Sequence, residues 1–255
     1  MSDASWVEGM PEAYDRRLGP VKFTPYAREL TARVPAGEVL EVAAGTGLLT
    51  RELVADGLVV TATDLNPPMV AYGQAQVPEA TWSQADALDL PFDDASFDAV
   101  ACGFGAMFFP DRPRGFAEAR RVLRPGGTLV LSVWDAVEHV PFTASLYDEL
   151  VALWPDDPPD FFTRVPYGYH EEAVLRADLA AGGFNDVAVE RVSLTTQAEA
   201  APLAEGYCYG TPLRFALVER GDLDDLAGHL GRRMVQRWGA EPFDHEMSAY
   251  LLTCR

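Results

Sequence analysis

The stretch VLEVAAGTGLLTRELVADGLVVTATDLNPPMV, residues 39–70, decides how the chain folds. An apolar run ends in a glycine-containing turn and a helical pattern follows. A second apolar run then closes on an acid, Asp64, and Asn66-Pro67 opens another helix. Short apolar runs that alternate with helical periodicity argue for parallel strands joined by crossover helices. Asparagine before proline supplies an N-cap side chain and a preset φ at the first helical position.

Working outward, strands are expected at 38–44, 58–64, 81–85, 97–103 and 128–134. Asp111 is placed to cap a helix that carries Phe116, Ala119 and Leu123 on one face and stops at Pro125-Gly126-Gly127. Beyond residue 170 the spacing predicts a helix over 174–181 closed by Gly182-Gly183, and an alternating strand over 186–193. An amphipathic helix follows through Leu223, Leu226, Leu230 and Met234, then a terminal strand at 248–254. Residues 136–170 and 195–245 are left as non-strand inserts, and segments that long in a compact domain have a job or a structure of their own. No internal repeat or low-complexity tract is present.

With 255 residues, 48% hydrophobic and 23% charged, the chain can bury a full core. A net charge of -19 opposes binding to phosphodiester backbones and anionic bilayers, so neither nucleic acid nor membrane is an expected partner. Cys102, Cys208 and Cys254 are odd in number and unpaired in spacing, which points to a reducing compartment, and no zinc pattern or other metal site is expected. The N-terminus lacks a basic start and an apolar core, so a cytoplasmic location is expected.

In a doubly wound sheet a ligand sits beyond the carboxyl ends of the strands. Gly45 and Gly47 permit a tight turn and close approach of a ligand to the backbone. The dinucleotide fingerprint G-x-G-x-x-G is incomplete here, because Leu48-Leu49-Thr50 follow Gly47. Asp64, 19 positions after Gly45, is where an acid accepts hydrogen bonds from ribose hydroxyls. Asp86, after the third strand, is placed for an exocyclic adenine amine. These positions suit adenosine without phosphates.

That order of motifs resembles the class I S-adenosylmethionine-dependent methyltransferases. VLEVAAGTG is similar to their first motif and ATDLNPPMV to their second. ADALDLPFDDASFDAV is similar to their third and fourth, and EARRVLRPGGTLVLSVW to their helix and fifth strand. The likeness covers residues 35–135 and extends more loosely over MPEAYDRRLGPVKFTPYA and PYGYHEEAVLRADLAAGGF, in the style of quinone-biosynthesis methyltransferases.

The resemblance implies a Rossmann-like, doubly wound α/β fold: a mostly parallel seven-stranded sheet with an antiparallel last strand and helical inserts forming a lid. One domain is expected over 1–255, with N-terminal cap helices at 1–34, the cofactor core at 35–135 and substrate-side inserts at 136–170 and 195–245. The implied cofactor is S-adenosyl-L-methionine, left as S-adenosyl-L-homocysteine. Glu41 would orient the loop, whose backbone through Ala43, Ala44, Gly45, Thr46 and Gly47 would wrap the methionine part. Asp64 would hold the ribose, Leu65 and Met69 would pack near the adenine, and Asp86 and Ala87 would read its edge. Cys102, Gly103 and Phe104 would line the methyl-donor region, with Tyr14 closing over the cofactor, although by residue type Cys102 reads as a small buried hydrophobe. Ala43 departs from the family's usual glycine.

A base is optional for methyl transfer from an activated sulfonium. Among the four histidines, His139 and His170 are the positional candidates, while His229 and His245 read as surface residues. Lys22, the only lysine, is the one candidate for a Schiff-base mechanism and has no supporting context. Phe23, Phe108, Trp134, Tyr167 and Tyr169 are candidates to enclose an acceptor. The expected activity is methyl transfer to an O or C atom, with N also open, of a small apolar or aromatic molecule. Competing readings are an NAD-linked oxidoreductase and a non-catalytic cofactor-binding protein of the same fold. The inserts also offer a homodimer face.

Overall fold

The computed structural model describes Trp6, Val7 and residues 9–255; residues 1–5 and 8 of the expected N-terminal cap lie outside the described residues. The strands are β1 (Glu38–Val42), β2 (Val59–Asp64), β3 (Thr81–Gln84), β4 (Phe97–Gly103), β5 (Leu123–Trp134), β6 (Val187–Ala198) and β7 (Phe243–Cys254). They form one sheet in the order β3-β2-β1-β4-β5-β7-β6. Strands β1 to β5 pair in parallel, and β7 runs antiparallel to both β5 and β6. This is the expected seven-stranded, doubly wound sheet with its last strand reversed.

The strand order reverses between β1 and β4, so the carboxyl ends of β1, β2, β4 and β5 open on one side around a switch point. Strands buried on both faces explain the continuous apolar runs: Val39, Leu40, Ala99, Val100, Ala101, Val130 and Leu131 are all buried. Helix Leu48–Ala55 turns Leu49 and Leu53 inward. Burying two such side chains contributes about 1.5–3 kcal/mol each.

Several local expectations need correcting. Asn66 is the N-cap of helix Pro67–Gln76, yet its side chain makes no cap; its Nδ2 donates to Asp64 instead. Asp111 does cap helix Arg112–Val122, accepting from the Arg114 amide at 3.1 Å. That helix ends before Leu123, and Pro125-Gly126-Gly127 fall inside β5. Strand β6 runs on to Ala198 and β7 starts at Phe243, so the ends of the 195–245 insert belong to a twelve-residue antiparallel pairing. Between them lie helices Ala200–Gly210, Leu213–Val218 and Leu223–Trp238.

The N-terminal segment is helical from Met10 to Thr31, with a π-helical stretch over Tyr14–Phe23 that contains Pro20. Proline lacks the N–H for the usual ladder, and the Thr24 amide closes this stretch on the Gly19 carbonyl, five residues back. The segment is pinned across the sheet's open end: Tyr26 Oη donates to the Val192 carbonyl at 3.1 Å, and Thr196 Oγ1 donates to that of Val21 at 2.7 Å.

Candidate functional site

The strand ends, the N-terminal helical segment and the inserts enclose a cavity of about 600 Å³, within the range of small-molecule sites. Its floor is the loop after β1. Ala43, Gly45 and Gly47 have φ of 55°, 57° and 86°, so the loop winds through left-handed backbone. The Ala44 amide donates to the Thr63 carbonyl at 2.8 Å and the Gly45 amide to Asp64 Oδ2 at 2.9 Å, which ties the loop to the end of β2. A Cβ on Gly45 would meet nothing within 4 Å, so open space lies over that turn.

Two acids lie beneath the loop. Glu41 is buried, accepts from Thr50 Oγ1 at 2.6 Å, and its carboxyl is pushed up to about 8 by burial, with the Asp64 charge adding to the effect. Asp64 is also raised by burial, against the pull of hydrogen bonds from Asn66 and Gly45. Its Oδ1 accepts from the Asn66 amide at 2.8 Å and from Asn66 Nδ2 at 3.1 Å. Thr46 Oγ1 is buried without a partner among the described residues, an unusual cost unless a ligand supplies one.

Of the residues singled out in the sequence, Tyr14, Glu41, Ala43, Ala44, Gly45 and Thr46 line the cavity. So do Asp64, Leu65, Met69, Asp86 and Ala87 on the β2–β3 side, and Gly103 and Phe104 at the end of β4. Phe23, Phe108, Trp134 and Tyr167 line its other part. Trp134 ends β5, three strands from β2, so it stands about 14 Å across the sheet from Asp64 at roughly 4.8 Å per strand. The cavity is therefore polarised, with carboxylates at one end and aromatic rings at the other. Phe104 stacks on Trp134 with centroids 4.0 Å apart, and Phe23 and Tyr26 meet Trp134 edge-on.

Five expectations are not met. Gly47 faces away: a Cβ there would contact Trp82 at 3.2 Å and not the cavity. Cys102 is buried behind the lining, with its thiol pushed up to about 12 by burial, which fits the small-hydrophobe reading. Tyr169 packs under the Arg112 guanidinium, 4.0 Å from its ring centre, and donates to Asp178 at 2.9 Å. His139 turns outward on the single turn Val137–His139, with Nδ1 3.1 Å from Asp135 Oδ2. His170 Nδ1 lies 2.7 Å from the Tyr167 carbonyl, so it braces the chain and does not reach the cavity.

Sequence reasoning also missed residues. His245, expected at the surface, is fully buried on β7. Lys22 lines the cavity at 2% exposure, with Nζ 2.9 Å from Tyr167 Oη and 3.6 Å from the centre of the Trp134 ring. The available signal was its isolation: the chain's one lysine sits in the aromatic stretch VKFTPYA. Tyr207, on helix Ala200–Gly210, joins the same end of the cavity from far along the chain, and nothing local marked it.

Comparison with known proteins agrees with this geometry. The sequence pattern of a methyltransferase domain matches residues 40–131. A demethylmenaquinone methyltransferase of Mycolicibacterium vanbaalenii is 32% identical over 200 residues, spanning 72% of this chain and 86% of that protein. One of Beutenbergia cavernae is 40% identical over 110 residues, but the match spans only 43% of this chain and 46% of that protein's length. Among solved structures, the phosphoethanolamine N-methyltransferase 2 of Haemonchus contortus, bound to phosphomonomethylethanolamine and S-adenosylhomocysteine, superposes with a TM-score of 0.59 at 17% identity. That match covers 96% of this chain and 56% of the other.

Proposed function

We propose a function from one premise: this chain belongs to the class I S-adenosylmethionine-dependent methyltransferases. On that premise the methyl donor is S-adenosyl-L-methionine, whose sulfonium supplies an already activated methyl group. The task left to the protein is to bind the donor, hold an acceptor in line with it and exclude water.

The acidic end of the cavity is the donor site. Asp64 takes the ribose hydroxyls; the longest of its present contacts, to Asn66 Nδ2 at 3.1 Å, is the one a hydroxyl replaces. Asp86 and Ala87 read the adenine edge, beside Leu65 and Met69. The Ala43–Thr46 backbone wraps the methionyl part, and the unpartnered Thr46 hydroxyl serves its carboxylate. Buried acids suit a ligand that carries positive charge on sulfur and nitrogen.

The aromatic end is the acceptor site. The acceptor is a small, apolar or aromatic molecule methylated on oxygen or carbon, and the observation that carries this reading is the aromatic group around Trp134, three strands from Asp64, with the Phe23 and Tyr167 rings 5.7 and 6.0 Å from it. Aromatic walls bind flat apolar rings through area and ring contacts. The demethylmenaquinone methyltransferases among the relatives favour a quinone-type ring, whose reduced form carries hydroxyl groups, within that class.

The test is transfer of a labelled methyl group from S-adenosyl-L-methionine across matched acceptors: naphthohydroquinones, simple phenols, and small polar amines. Methylation confined to the aromatic hydroxyl compounds supports the reading. Methylation of the polar amines alone would refute it.

A further inference from the structure

All 20 basic residues of the chain are arginine except Lys22. The exception is buried at the aromatic end of the cavity. A buried ammonium needs a counter-charge, yet among the described residues no carboxylate forms an ion pair with Lys22, and burial alone drives its pKa well below the ordinary lysine value. Nζ instead meets a phenol, Tyr167 Oη at 2.9 Å, and the face of Trp134 at 3.6 Å. Tyr167 Oη is 3.2 Å from Thr143 Oγ1, which is 2.6 Å from Tyr207 Oη.

The other titratable groups around it do not supply charge. Tyr167 and Tyr207 are held protonated by burial, as are Tyr26 and Tyr14 along the N-terminal helical segment. His245 on β7 is neutral: burial, the largest cause, pushes it down to about 3, and both its ring nitrogens are buried without partners among the described residues. The acids Glu41 and Asp64 belong to the donor end. Burial therefore favours the free amine of Lys22, at the aromatic end of the cavity.

We propose that Lys22 is the general base of this site, taking the proton that a hydroxyl-bearing aromatic acceptor sheds as it gains a methyl group. The proposal rests on the methyltransferase reading above. The acceptor's hydroxyl proton passes to Nζ. An electron pair of that oxygen, or of the ring carbon conjugated with it, forms the bond to the methyl carbon, and the carbon–sulfur bond breaks with its pair left on sulfur. One proton is shed for each methyl gained on either atom. The positive charge lost at sulfur reappears on Lys22, where the Trp134 face and the Tyr167 oxygen stabilise the ammonium.

Because Lys22 is the only lysine, its protonation can be read directly. Untagged full-length protein is prepared with lysine labelled at Cε, saturated with S-adenosylhomocysteine, and its single Cε resonance is followed by NMR as pH is raised. The expected midpoint lies well below that of free lysine and below the pH of the next step. Adding 2-naphthol at pH 8 should then move the resonance to its ammonium position, while the naphtholate absorbance appears, and Lys22→Met should abolish that absorbance. A midpoint at the ordinary lysine value overturns the proposal, because Lys22 would then be a fixed cation. A low midpoint with no response to saturating 2-naphthol overturns it as well. Failure to bind S-adenosylhomocysteine, measured first by calorimetry, would instead defeat the methyltransferase reading itself.

Discussion

The amide of Gly45 donates to the carboxylate of Asp64 at 2.9 Å, so the turn after the first strand hangs from the end of the second. The same carboxylate holds the Asn66 backbone at 2.8 Å, where the next helix begins. One buried acid thus holds both the loop after β1 and the start of the next helix at the acidic end of the cavity. Such pre-organisation spares a ligand the cost of ordering the loop.

Loop strain gives a first prediction. Ala43 holds a φ of 55°, a region that costs a non-glycine residue about 1–2 kcal/mol. Ala43→Gly should stabilise the fold by a net ~0.5–1 kcal/mol once the greater freedom of glycine in the unfolded chain is counted. A Cβ on Gly105 would stand 2.5 Å from the Ala43 Cβ, so Gly105→Ala should destabilise the protein and weaken donor binding. Combining the two changes should restore part of the loss, a non-additivity that chemical denaturation of the four proteins will show.

Glu41 sets a pH dependence. Its folded pKa of about 8 lies above the ordinary 4.5, so the folded protein keeps a proton that the unfolded chain releases between those values. The stabilisation is whole below about pH 4.5 and is lost as pH rises through about 8. At about 1.4 kcal/mol per pKa unit, the slope amounts to a few kcal/mol, and Glu41→Gln should flatten it in urea titrations over this range. A cationic donor favours the ionised acid, so S-adenosylmethionine should bind more tightly from pH 6 to 8 with proton release, and S-adenosylhomocysteine should follow pH less closely. Calorimetry in two buffers of different ionisation enthalpy measures that release.

The histidines give a negative prediction. His139 is half-exposed beside Asp135, and His170 is held against the Tyr167 carbonyl; neither lines the cavity. His139→Ala and His170→Ala should each leave kcat for methyl transfer within about twofold; stability should stay within about 0.5 kcal/mol in His139→Ala and fall by about 0.5–1.5 kcal/mol in His170→Ala, which loses the bond to the Tyr167 carbonyl. A hundredfold loss of kcat in either would relocate the chemistry.

Much of the cavity's acidic end was legible because it is local. The β1 turn, Asp64 and Asp86 follow strand ends at fixed spacing, and a parallel sheet must bring strand ends together. The aromatic end was legible only in residue type. Lys22, Thr143, Tyr167 and Tyr207 meet through hydrogen bonds that span up to 145 residues of sequence, and no periodicity encodes such a meeting. The histidines misled for a related reason. His139 follows the ligand end of β5, but the turn at Val137–His139 directs it outward. Strands β6 and β7 were underestimated because a cross-strand partner sustains pairing beyond the clearest alternation, as at Thr196 opposite His245. Among the described residues, no helix is long and apolar enough to cross a membrane.

The central claim is that the acidic end of the cavity holds S-adenosylmethionine through Asp64. Its most direct test is calorimetric titration of the wild type and of Asp64→Ala with S-adenosylmethionine, S-adenosylhomocysteine and NAD. The account predicts that both sulfur compounds bind, that NAD does not, and that the substitution weakens binding by about 1–3 kcal/mol through lost hydrogen bonds to a charged group. Binding of NAD alone, or sulfur-compound affinity unchanged in Asp64→Ala, would contradict it.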